Sequence, residues 1–332
     1  MAPALNTLLV VVGIAILYWG AEWLIRGSAQ VARAFGVKPL VVGLTVVAYG
    51  TSAPELAVAT QTALGHHEPI ALGTVIGSCA ANISLILGIT ALISPPTIDG
   101  RIIRREVPVL LGSAIAVPLL FRNGVLSRVE GLVLIACAVV FTVATLTVSA
   151  RLDPDDTPDD AHDDETRRTE ESAAALGGKG RPHGSRGAAA LQTAVGLVLL
   201  VAGAQVFVFG GRRLGTELGI SERMLGLTVI SIGTALPELI GSIVAASRGQ
   251  AALAIGSVIG SNVLNVFLVL GVTAYLRPIR AGELMHLSDL IGLVGITLLG
   301  IVMLRGSRKI SRFEGLILVL AYLGFIATAA IF

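Results

Sequence analysis

Charged residues are scarce in this chain of 332 residues: Asp, Glu, Lys and Arg make up only 14%, whereas hydrophobic residues make up 54%. The mean hydropathy is +0.84, far outside the balance of a water-soluble domain. Apolar runs near the roughly 20 residues that a helix needs to cross a bilayer recur along nearly the whole chain. These runs are too long and too uniformly apolar for barrel strands, so the sequence predicts an all-α integral protein of the lipid bilayer.

The chain also has few cysteines and no basic leader. Cys79 and Cys137 lie inside apolar runs, which indicates buried thiols rather than a disulfide or a metal-binding pair. The N-terminal run lacks a preceding basic segment and a clear cleavage site, so it is predicted to be the first span and not a signal peptide. The formal net charge of +2 identifies no partner by itself, and no nucleic acid is expected.

The sequence predicts ten membrane-spanning helices, five on each side of one polar segment. Their approximate ranges are 5–33, 38–64, 70–93, 104–121, 126–149, 191–217, 224–247, 251–276, 284–305 and 312–331. The polar segment, residues 151–190, is rich in Asp, Pro and Gly and cannot build a core, so it is interpreted as a flexible connector. Its acidic run at 153–165 lacks the spacing and central glycine of an EF-hand, which favours a solvated linker over a calcium-sensing loop.

The two halves beside the connector, residues 1–150 and 191–332, resemble each other. Residues 41–93 align without a gap on residues 224–276, and 22 of these 53 positions are identical. "VVGLTVVAYGTSAPEL" falls on "MLGLTVISIGTALPEL", and "ALGTVIGSCAANISLILGITA" falls on "AIGSVIGSNVLNVFLVLGVTA". This offset of 183 residues indicates an internal duplication, with motifs over 43–91 and 226–274.

The predicted topology follows from the number of spans per half. Because five is odd, the second half enters the membrane in the opposite sense to the first. With both termini outside, the loops assigned to the cytoplasm hold more Lys and Arg than the outer loops, as the positive-inside rule requires. The expected architecture is therefore two inverted five-helix repeats in the cell membrane, with a cytoplasmic connector. Inverted repeats with interrupted helices are the usual build of secondary transporters, whose site lies at mid-membrane.

One stretch in each half combines a helix-breaking proline with a carboxylate at membrane depth. Pro54 and Pro237 have no backbone N–H, so the carbonyl four residues before each loses its helical donor. A carbonyl freed at the bilayer centre needs another partner, and a cation is one candidate. Glu55 and Glu238 follow the prolines directly. A carboxylate near mid-membrane costs about 2.5–3.5 kcal/mol by insertion scales, so its presence at two matching positions indicates a function.

Neighbouring polar residues complete an oxygen-rich cluster. Thr51 and Thr234 precede the two glutamates by four residues, so each pair shares one helix face. Four further residues form two polar stripes, in pairs spaced by four: Ser78, Asn82, Ser261 and Asn265. Carboxylate, hydroxyl and amide oxygens suit calcium or sodium and disfavour zinc or copper. Because two negative charges neutralise one calcium or two sodium ions equally well, the cluster predicts competition between these ions.

Other residues near the spans have structural interpretations. Four glycines are predicted to let the third and eighth helices approach a neighbour closely: Gly73, Gly77, Gly256 and Gly260. Glu22, whose counterpart in the second half is Gln205, is interpreted as an interfacial residue. His66 and His67 are expected to be solvated in a short outer loop rather than to bind a metal.

These motifs resemble the two alpha-repeats of the cation/calcium exchanger superfamily, specifically its sodium/calcium exchanger branch. The resemblance rests on "GTSAPEL" with "ALGTVIGSCAANI" and on "GTALPEL" with "AIGSVIGSNVLNV", and it covers both halves. It implies ten helices, of which the second and seventh are kinked and form a central cluster of cation sites with the third and eighth. It also implies that the first helix of each repeat slides across this core to alternate access. No cofactor is implied, and a monomer is sufficient for transport.

The resemblance also implies roles for the motif residues. Glu55 and Glu238 would be the central ligands shared by calcium and sodium. The backbone carbonyls of Thr51 and Thr234 would complete the calcium site. The flanking sodium sites would draw on the side chains of Ser52, Ser78 and Ser261 and on the carbonyls of Ala48 and Ser231, with Asn82 and Asn265 lining the middle.

Three positions depart from the pattern of the resembled family. Ala235 stands where a serine is frequent, which removes a hydroxyl from one flanking sodium site and bears on the number of sodium ions bound. Asn265 stands where many relatives carry Asp, and the absence of that acid argues against potassium co-transport. Cys79 replaces the amide of the usual "GSN" triplet.

Sodium-driven calcium exchange is the leading hypothesis, because the "GT-x-x-PE" form is typical of that branch. A calcium/proton antiporter is the first alternative, since buried glutamates also carry protons, although such relatives usually show "GN-x-x-E". An intramembrane hydrolase would need a nucleophile and a base at membrane depth. His286 is the histidine at the margin of a span, and nothing repeats around it. A passive channel is less favoured, because occluding helices in inverted repeats favour stepwise exchange.

Overall fold

The computed structural model describes residues 2–35, 37, 39–65, 68–96, 100–151, 186–219, 231–280, 287–306 and 310–331. Nearly all of these residues are helical. Several sequence predictions concern residues outside the described ranges: His66, His67, His286, most of the connector and the start of the span predicted at 224–247.

In the first half, helices occupy the predicted apolar runs. The elements in chain order are α1 (Ala2–Phe35), α2 (Pro39–Val42), the π-helical segment π1 (Gly43–Val47), α3 (Ala48–Thr51), α4 (Ala53–Leu64), α5 (Glu68–Ala80), π2 (Ala81–Ile86), α6 (Leu87–Ile93), α7 (Gly100–Leu120), a 3₁₀ turn (Phe121–Asn123), β1 (Val125–Leu126) and α8 (Arg128–Arg151). The second predicted span breaks only at Ser52, where Pro54 opens α4. Proline tolerates this position because its missing N–H has no intrahelical partner there.

The described helices of the second half correspond to helices of the first, but its strand lies at a different place in the chain order. The elements of the second half are α9 (Arg186–Glu217), α10 (Ser231–Ser247), α11 (Ala251–Leu264), π3 (Asn265–Leu270), α12 (Gly271–Leu276), β2 (Ile279–Arg280), α13 (Leu287–Gly306) and α14 (Arg312–Ile331). Helix α9 begins at Arg186, so the last residues assigned to the connector are helical. In contrast to the first half, α10 continues through Pro237.

The corresponding helices α6 and α12 end in the same way in the two halves, two residues before a proline. Ser94 and Arg277, the residues that follow α6 and α12, are extended, with φ, ψ of −142°, 99° and −145°, 121°. Each precedes a proline in the sequence, and proline disfavours helical conformation in the residue before it. Strand β2 then pairs antiparallel with β1 of the first half.

The protein is a multi-pass membrane protein. Among the described residues, seven helices are long and apolar enough to cross a bilayer: Ala4–Ala32, Leu40–Gln61, Ala71–Ile93, Arg104–Asn123, Arg128–Thr147, Gly187–Glu217 and Ala251–Leu276. A shorter apolar helix covers Gly233–Ser247. Many large apolar side chains on these helices are exposed, as expected of a surface that faces lipid. The total of ten crossings stays a prediction.

Helices α1 and α9 pack against each other in antiparallel orientation through glycines spaced by seven residues. The glycines are Gly13, Gly20 and Gly27 on α1 and Gly196, Gly203 and Gly210 on α9. A Cβ atom at Gly20 would lie 2.7 Å from the backbone nitrogen of Leu200, and one at Gly196 would lie 2.3 Å from that of Leu24. The two backbones are therefore in contact along most of their length.

Polar contacts tie both ends of this helix pair. The Asn6 amide donates to the Glu217 carboxylate at 2.9 Å, and the Gln30 amide donates to that of Gln192 at 3.2 Å. Because the backbones touch along the pair and the ends are tied, α1 and α9 form one structural unit, hereafter the α1–α9 pair.

The last helix of each half packs on the other half. Gly131 of α8 lies against Gly271 and Tyr275 of α12. Gly315 of α14 lies against Gly88 and Ala91 of α6. The hydrophobic clusters likewise mix residues of both halves. The two halves are therefore interlocked around a shared core.

Candidate cation-binding site

The site lies where π1, α3 and α4 of the first half meet α11 of the second. Glycines allow this approach: a Cβ at Gly43 would lie 2.6 Å from the Leu253 carbonyl oxygen, and one at Gly260 would lie 2.7 Å from that of Leu44. The predicted close-packing surface is thus confirmed for Gly256 and Gly260. Around Gly73, no heavy atom of the described residues lies within 4 Å of a Cβ built there; residue 223, which corresponds to the neighbour of Gly256, lies outside the described ranges, so close packing at Gly73 stays a prediction.

Glu55 and Glu238 are both buried, each 1% exposed, and their carboxylates lie close enough to interact electrostatically. The Ser78 hydroxyl donates to Oε1 of Glu55 at 3.5 Å, which is a weak contact. Oε2 of Glu55 and both carboxylate oxygens of Glu238 receive no hydrogen bond from the part of the chain that is described. Three carboxylate oxygens without partners in a dry interior are costly, which indicates that the site binds a positive ligand.

Hydroxyls surround the two carboxylates. Thr51 and Ser261 are buried, and their oxygens lie 3.2 Å apart. Both hydroxyls are near the Glu238 carboxylate, although neither reaches hydrogen-bonding geometry. Ser52 is 2% exposed, and its hydroxyl has no partner among the described residues. Thr234, one turn before Glu238, is also buried.

The two predicted asparagines lie in π-helical segments. Asn82 is the second residue of π2 and Asn265 is the first residue of π3. Both side chains are buried, and neither amide has a hydrogen-bond partner within the described ranges. π-Helical turns are rare and occur frequently at functional sites. The apolar pattern of these spans does not distinguish π-helical from α-helical turns. The sequence therefore predicted ordinary helix at both asparagines.

The backbone groups of the predicted set differ in how they are engaged. The Ala48 carbonyl already accepts the backbone N–H of Ser52 at 3.0 Å and lies 3.4 Å from the Thr51 hydroxyl. Ser231 is the first residue of α10, and the structure describes its backbone position. The roles of these two carbonyls as ligands stay predictions.

Sequence reasoning missed three polar residues that the structure makes conspicuous. Thr90 and Thr273 are buried, and both hydroxyls lack partners among the described residues. They are identical residues at the repeat offset of 183, which is the signal that could have found them. Asn262 occupies the position of Cys79, and its buried amide oxygen is also without a partner in the described chain. Its backbone carbonyl faces the Cys79 thiol at 3.8 Å.

The hydroxyls of Ser52, Thr90 and Thr273 differ from several other buried hydroxyls of the described chain. Thr45, Ser84, Thr193 and Thr297 all donate to a carbonyl four residues earlier on their own helix. Back-bonding of this kind is the usual structural use of Ser and Thr in a membrane helix. The Ser52 hydroxyl makes no such bond within the described structure. It is therefore available to a ligand.

The arrangement is suited to hard cations. It holds two carboxylates, several hydroxyls and two amides, and no group of three or more His, Cys, Asp or Glu side chains occurs in the described ranges. Oxygen ligands of this kind suit sodium and calcium rather than zinc or copper. A buried, oxygen-lined, anionic cluster between interlocked membrane helices defines the class of membrane cation transporters.

Comparison with known proteins names the family. The model of the family described as "Sodium/calcium exchanger protein" matches residues 5–147 and 188–330, and the chain belongs to this family. The chain is 33% identical over 322 residues to the putative antiporter CaxA of Alkalimonas amylolytica, covering 96% of this chain and 97% of that protein. It is 26% identical to the sodium/calcium exchanger MaX1 of Methanosarcina acetivorans, covering 97% of each.

Solved structures show the same fold. The sodium-calcium exchanger NCX_Mj, soaked with 2.5 mM Na⁺ and 0.1 mM Ca²⁺, matches with a TM-score of 0.80 and 28% sequence identity. The match covers 97% of this chain and 98% of that chain. The relatives are exchangers and antiporters by name, so this chain is a transporter and not an enzyme.

Proposed function

We propose that this protein is a secondary active antiporter that exchanges sodium for calcium across the cell membrane. The observation that carries the proposal is the pair of buried carboxylates, Glu55 and Glu238, whose oxygens largely lack partners in the described structure. Their two negative charges are neutralised equally by one calcium ion or two sodium ions. Competition for one site is what couples the two fluxes in an exchanger.

The proposed ligands are the residues that the family pattern identifies. Glu55 and Glu238 bind both ions, and the backbone carbonyls of Thr51 and Thr234 complete the calcium site. The flanking sodium sites use Ser52, Ser78, Ser261 and the carbonyls of Ala48 and Ser231, and Asn82 and Asn265 line the middle. The partnerless hydroxyl of Ser52 and the partnerless amides of both asparagines support this assignment.

The proposed architecture is ten membrane-spanning helices in two inverted repeats, with both termini outside and the connector in the cytoplasm. Support comes from α1 and α9, which occupy the same position in the two halves and run antiparallel. Alternating access then requires one unit to move against the helices that hold the ions. The α1–α9 pair is the proposed moving unit, because it is tied together at both ends.

The experiment that tests this function is uptake of radiolabelled calcium into proteoliposomes loaded with sodium. Uptake is measured with and without an outward sodium gradient, in the presence of a proton ionophore. We expect uptake to follow the sodium gradient and to survive the ionophore. Parallel liposomes containing Glu55→Gln protein give the background.

Calcium/proton antiport is the alternative that this experiment separates. Uptake that ignores sodium and collapses with the pH gradient would show that the same carboxylates carry protons. Potassium added outside together with calcium should not raise uptake, because Asn265 supplies no acid at the position where potassium-dependent relatives use one.

A further inference from the structure

Another buried carboxylate, Glu22, lies outside the candidate cation site, on helix α1 of the proposed moving unit. Glu22 is 8% exposed, and its Oε1 lies 2.5 Å from Arg26 and 2.5 Å from Arg248. Arg26 is one turn along the same helix, so that contact does not depend on how α1 is placed. Arg248 follows the last residue of α10, so the second contact joins two elements.

Arg248 is held firmly by the way α10 ends. Its backbone N–H bonds to the carbonyl of Val244 at 3.1 Å, and the N–H of Gly249 bonds to that of Ala246 at 3.0 Å. Gly249 has φ of +70°, the left-handed conformation with which glycine closes helices. Because α10 also carries Glu238, the ion pair connects α1 to a helix of the cation site.

Apolar contacts also join α1 and α10. Leu17, Leu24 and Ile25 of α1 share a hydrophobic cluster with Leu236 and Val244 of α10. Apolar contacts are non-directional and lose little when two helices shift past each other. A 2.5 Å ion pair needs one register, so its energy depends on the position of α1.

The ion pair has no equivalent in the other half. At the repeat offset of 183 residues, Glu22 corresponds to Gln205 and Arg248 corresponds to Gly65. Gln205 is exposed on α9, and Gly65 has no side chain with which to form a contact. The two halves therefore share their helices, but the residues that form the Glu22–Arg248 ion pair have no charged counterparts at the repeat offset.

We propose that the Glu22–Arg248 ion pair is a one-sided latch that stabilises one of the two access states. The proposal rests on the proposed function, in which the α1–α9 pair moves against the site helices. In a transporter of inverted repeats, the two access states arise when the halves exchange conformations. A contact that only one half possesses favours the state in which it forms, and this structure shows that state.

The native cysteines make the proposal measurable. The chain has two cysteines, and Cys79 lies beside the predicted ligand Ser78. In a Cys137→Ala background, Cys79 alone reports access to the site. A water-soluble, membrane-impermeant thiosulfonate reagent is added to sealed right-side-out and inside-out membrane vesicles. The ratio of the two modification rates measures the balance between access states.

Removing either partner should shift this balance in the same direction. We expect Glu22→Gln and Arg248→Gln each to change the ratio about tenfold, within the usual range of coupling between two states. The double variant should change it no more than either single variant, because both remove the same contact. Arg26→Gln is the matched control, and a change below about twofold is expected because its contact stays within α1.

The outcomes separate the latch from the transport function. Ratios within twofold of the parent in both single variants, or an equal shift in Arg26→Gln, would overturn the latch. Thermal unfolding of each variant identifies loss of fold. The double variant leaves no uncompensated charge between the two positions. It therefore keeps the test valid if a single variant is unstable. Absence of sodium-dependent calcium uptake by the parent would overturn the proposed function. The access ratio is measured without any ion gradient, so it tests the latch separately from transport.

Discussion

At the scale of single residues, the candidate cation site is defined by two carboxylates whose oxygens mostly lack hydrogen-bond partners among the described residues. Glu55 and Glu238 are both buried, and most of their oxygens are unpaired in the described structure. Their proximity adds repulsion to the cost of desolvation. A bound cation would relieve both costs, which is why both carboxylates are the proposed ligands.

Neutralising either glutamate should abolish exchange. Glu55→Gln and Glu238→Gln each retain the shape of the side chain but halve the negative charge of the pair. We expect calcium uptake to fall about 100-fold or more, because a buried charge that loses its partner costs roughly 3–5 kcal/mol. Glu106→Gln is a matched control, since Glu106 is also a buried glutamate in a membrane helix but belongs to α7. A Glu55→Gln protein that transports at the parental rate would refute its role as a ligand.

The absence of a hydroxyl at Ala235 is expected to affect how tightly sodium binds. Ala235 is buried in α10 at the position that corresponds to Ser52. Ala235→Ser should lower the sodium concentration needed for half-maximal exchange, and Ser52→Ala should raise it, each by about two- to tenfold for an interaction of roughly 0.5–1.5 kcal/mol. Sodium titration of calcium flux measures both. If Ser52→Ala left the sodium dependence unchanged, no flanking site would use that hydroxyl.

At the scale of helices, close backbone packing joins α1 and α9. Three glycines on each of α1 and α9 remove the side chains that would separate the backbones. Without a hydrophobic driving force inside lipid, packing of small residues is a main source of helix association. The α1–α9 pair therefore depends on these glycines for its integrity.

Adding one methyl group to this contact should separate the helices. Gly196→Ala would place Cβ 2.3 Å from the backbone nitrogen of Leu24, and we expect a loss of about 1–3 kcal/mol in stability, as for overpacked cores. Gly112→Ala in α7 is the matched control, because no heavy atom of the described residues lies within 4 Å of a Cβ there. Alanine also favours helix over glycine by up to about 1 kcal/mol. Thermal unfolding in detergent compares the two. Equal midpoints would show that the glycines do not set the packing.

At the scale of the whole molecule, an ion bound at the proposed site would join the interlocked halves. Glu55 belongs to α4 of the first half and Glu238 to α10 of the second, so a cation between them bridges the duplication. Any ligand that binds only the folded protein raises its stability. Ion binding should therefore be visible in unfolding as well as in transport.

Calcium and sodium should each stabilise the protein, and they should do so in competition. At 100 times its dissociation constant, an ion adds about 2.7 kcal/mol to the free energy of unfolding. Saturating sodium should reduce the further shift that calcium produces, because both ions use the same carboxylates. Thermal unfolding in choline, potassium, sodium and calcium salts measures this. Fully additive shifts would contradict a shared site, and Glu238→Gln should show neither shift.

Much of the site could be predicted from the sequence, because its residues are repeated at one offset. Glu55, Glu238 and the Ser–Asn stripes are recognisable by type, spacing and duplication alone. The π-helical segments that hold the asparagines could not be predicted, since apolar side chains fit π and α turns equally well. Glu22 is the clearest limit: it was predicted to be interfacial, and its buried pairing with Arg248 joins residues 226 positions apart.

The sequence by itself determined the membrane class, most helix boundaries, the duplication and the types of ligand atom. These depend on local properties, namely the length of apolar runs, the residues before prolines and the spacing of polar residues. Only the tertiary structure decided which carboxylate oxygens lack partners, how α1 and α9 join, and that one half alone carries the ion pair. Those features depend on contacts between residues distant in the chain, and hydrophobic patterning does not encode them.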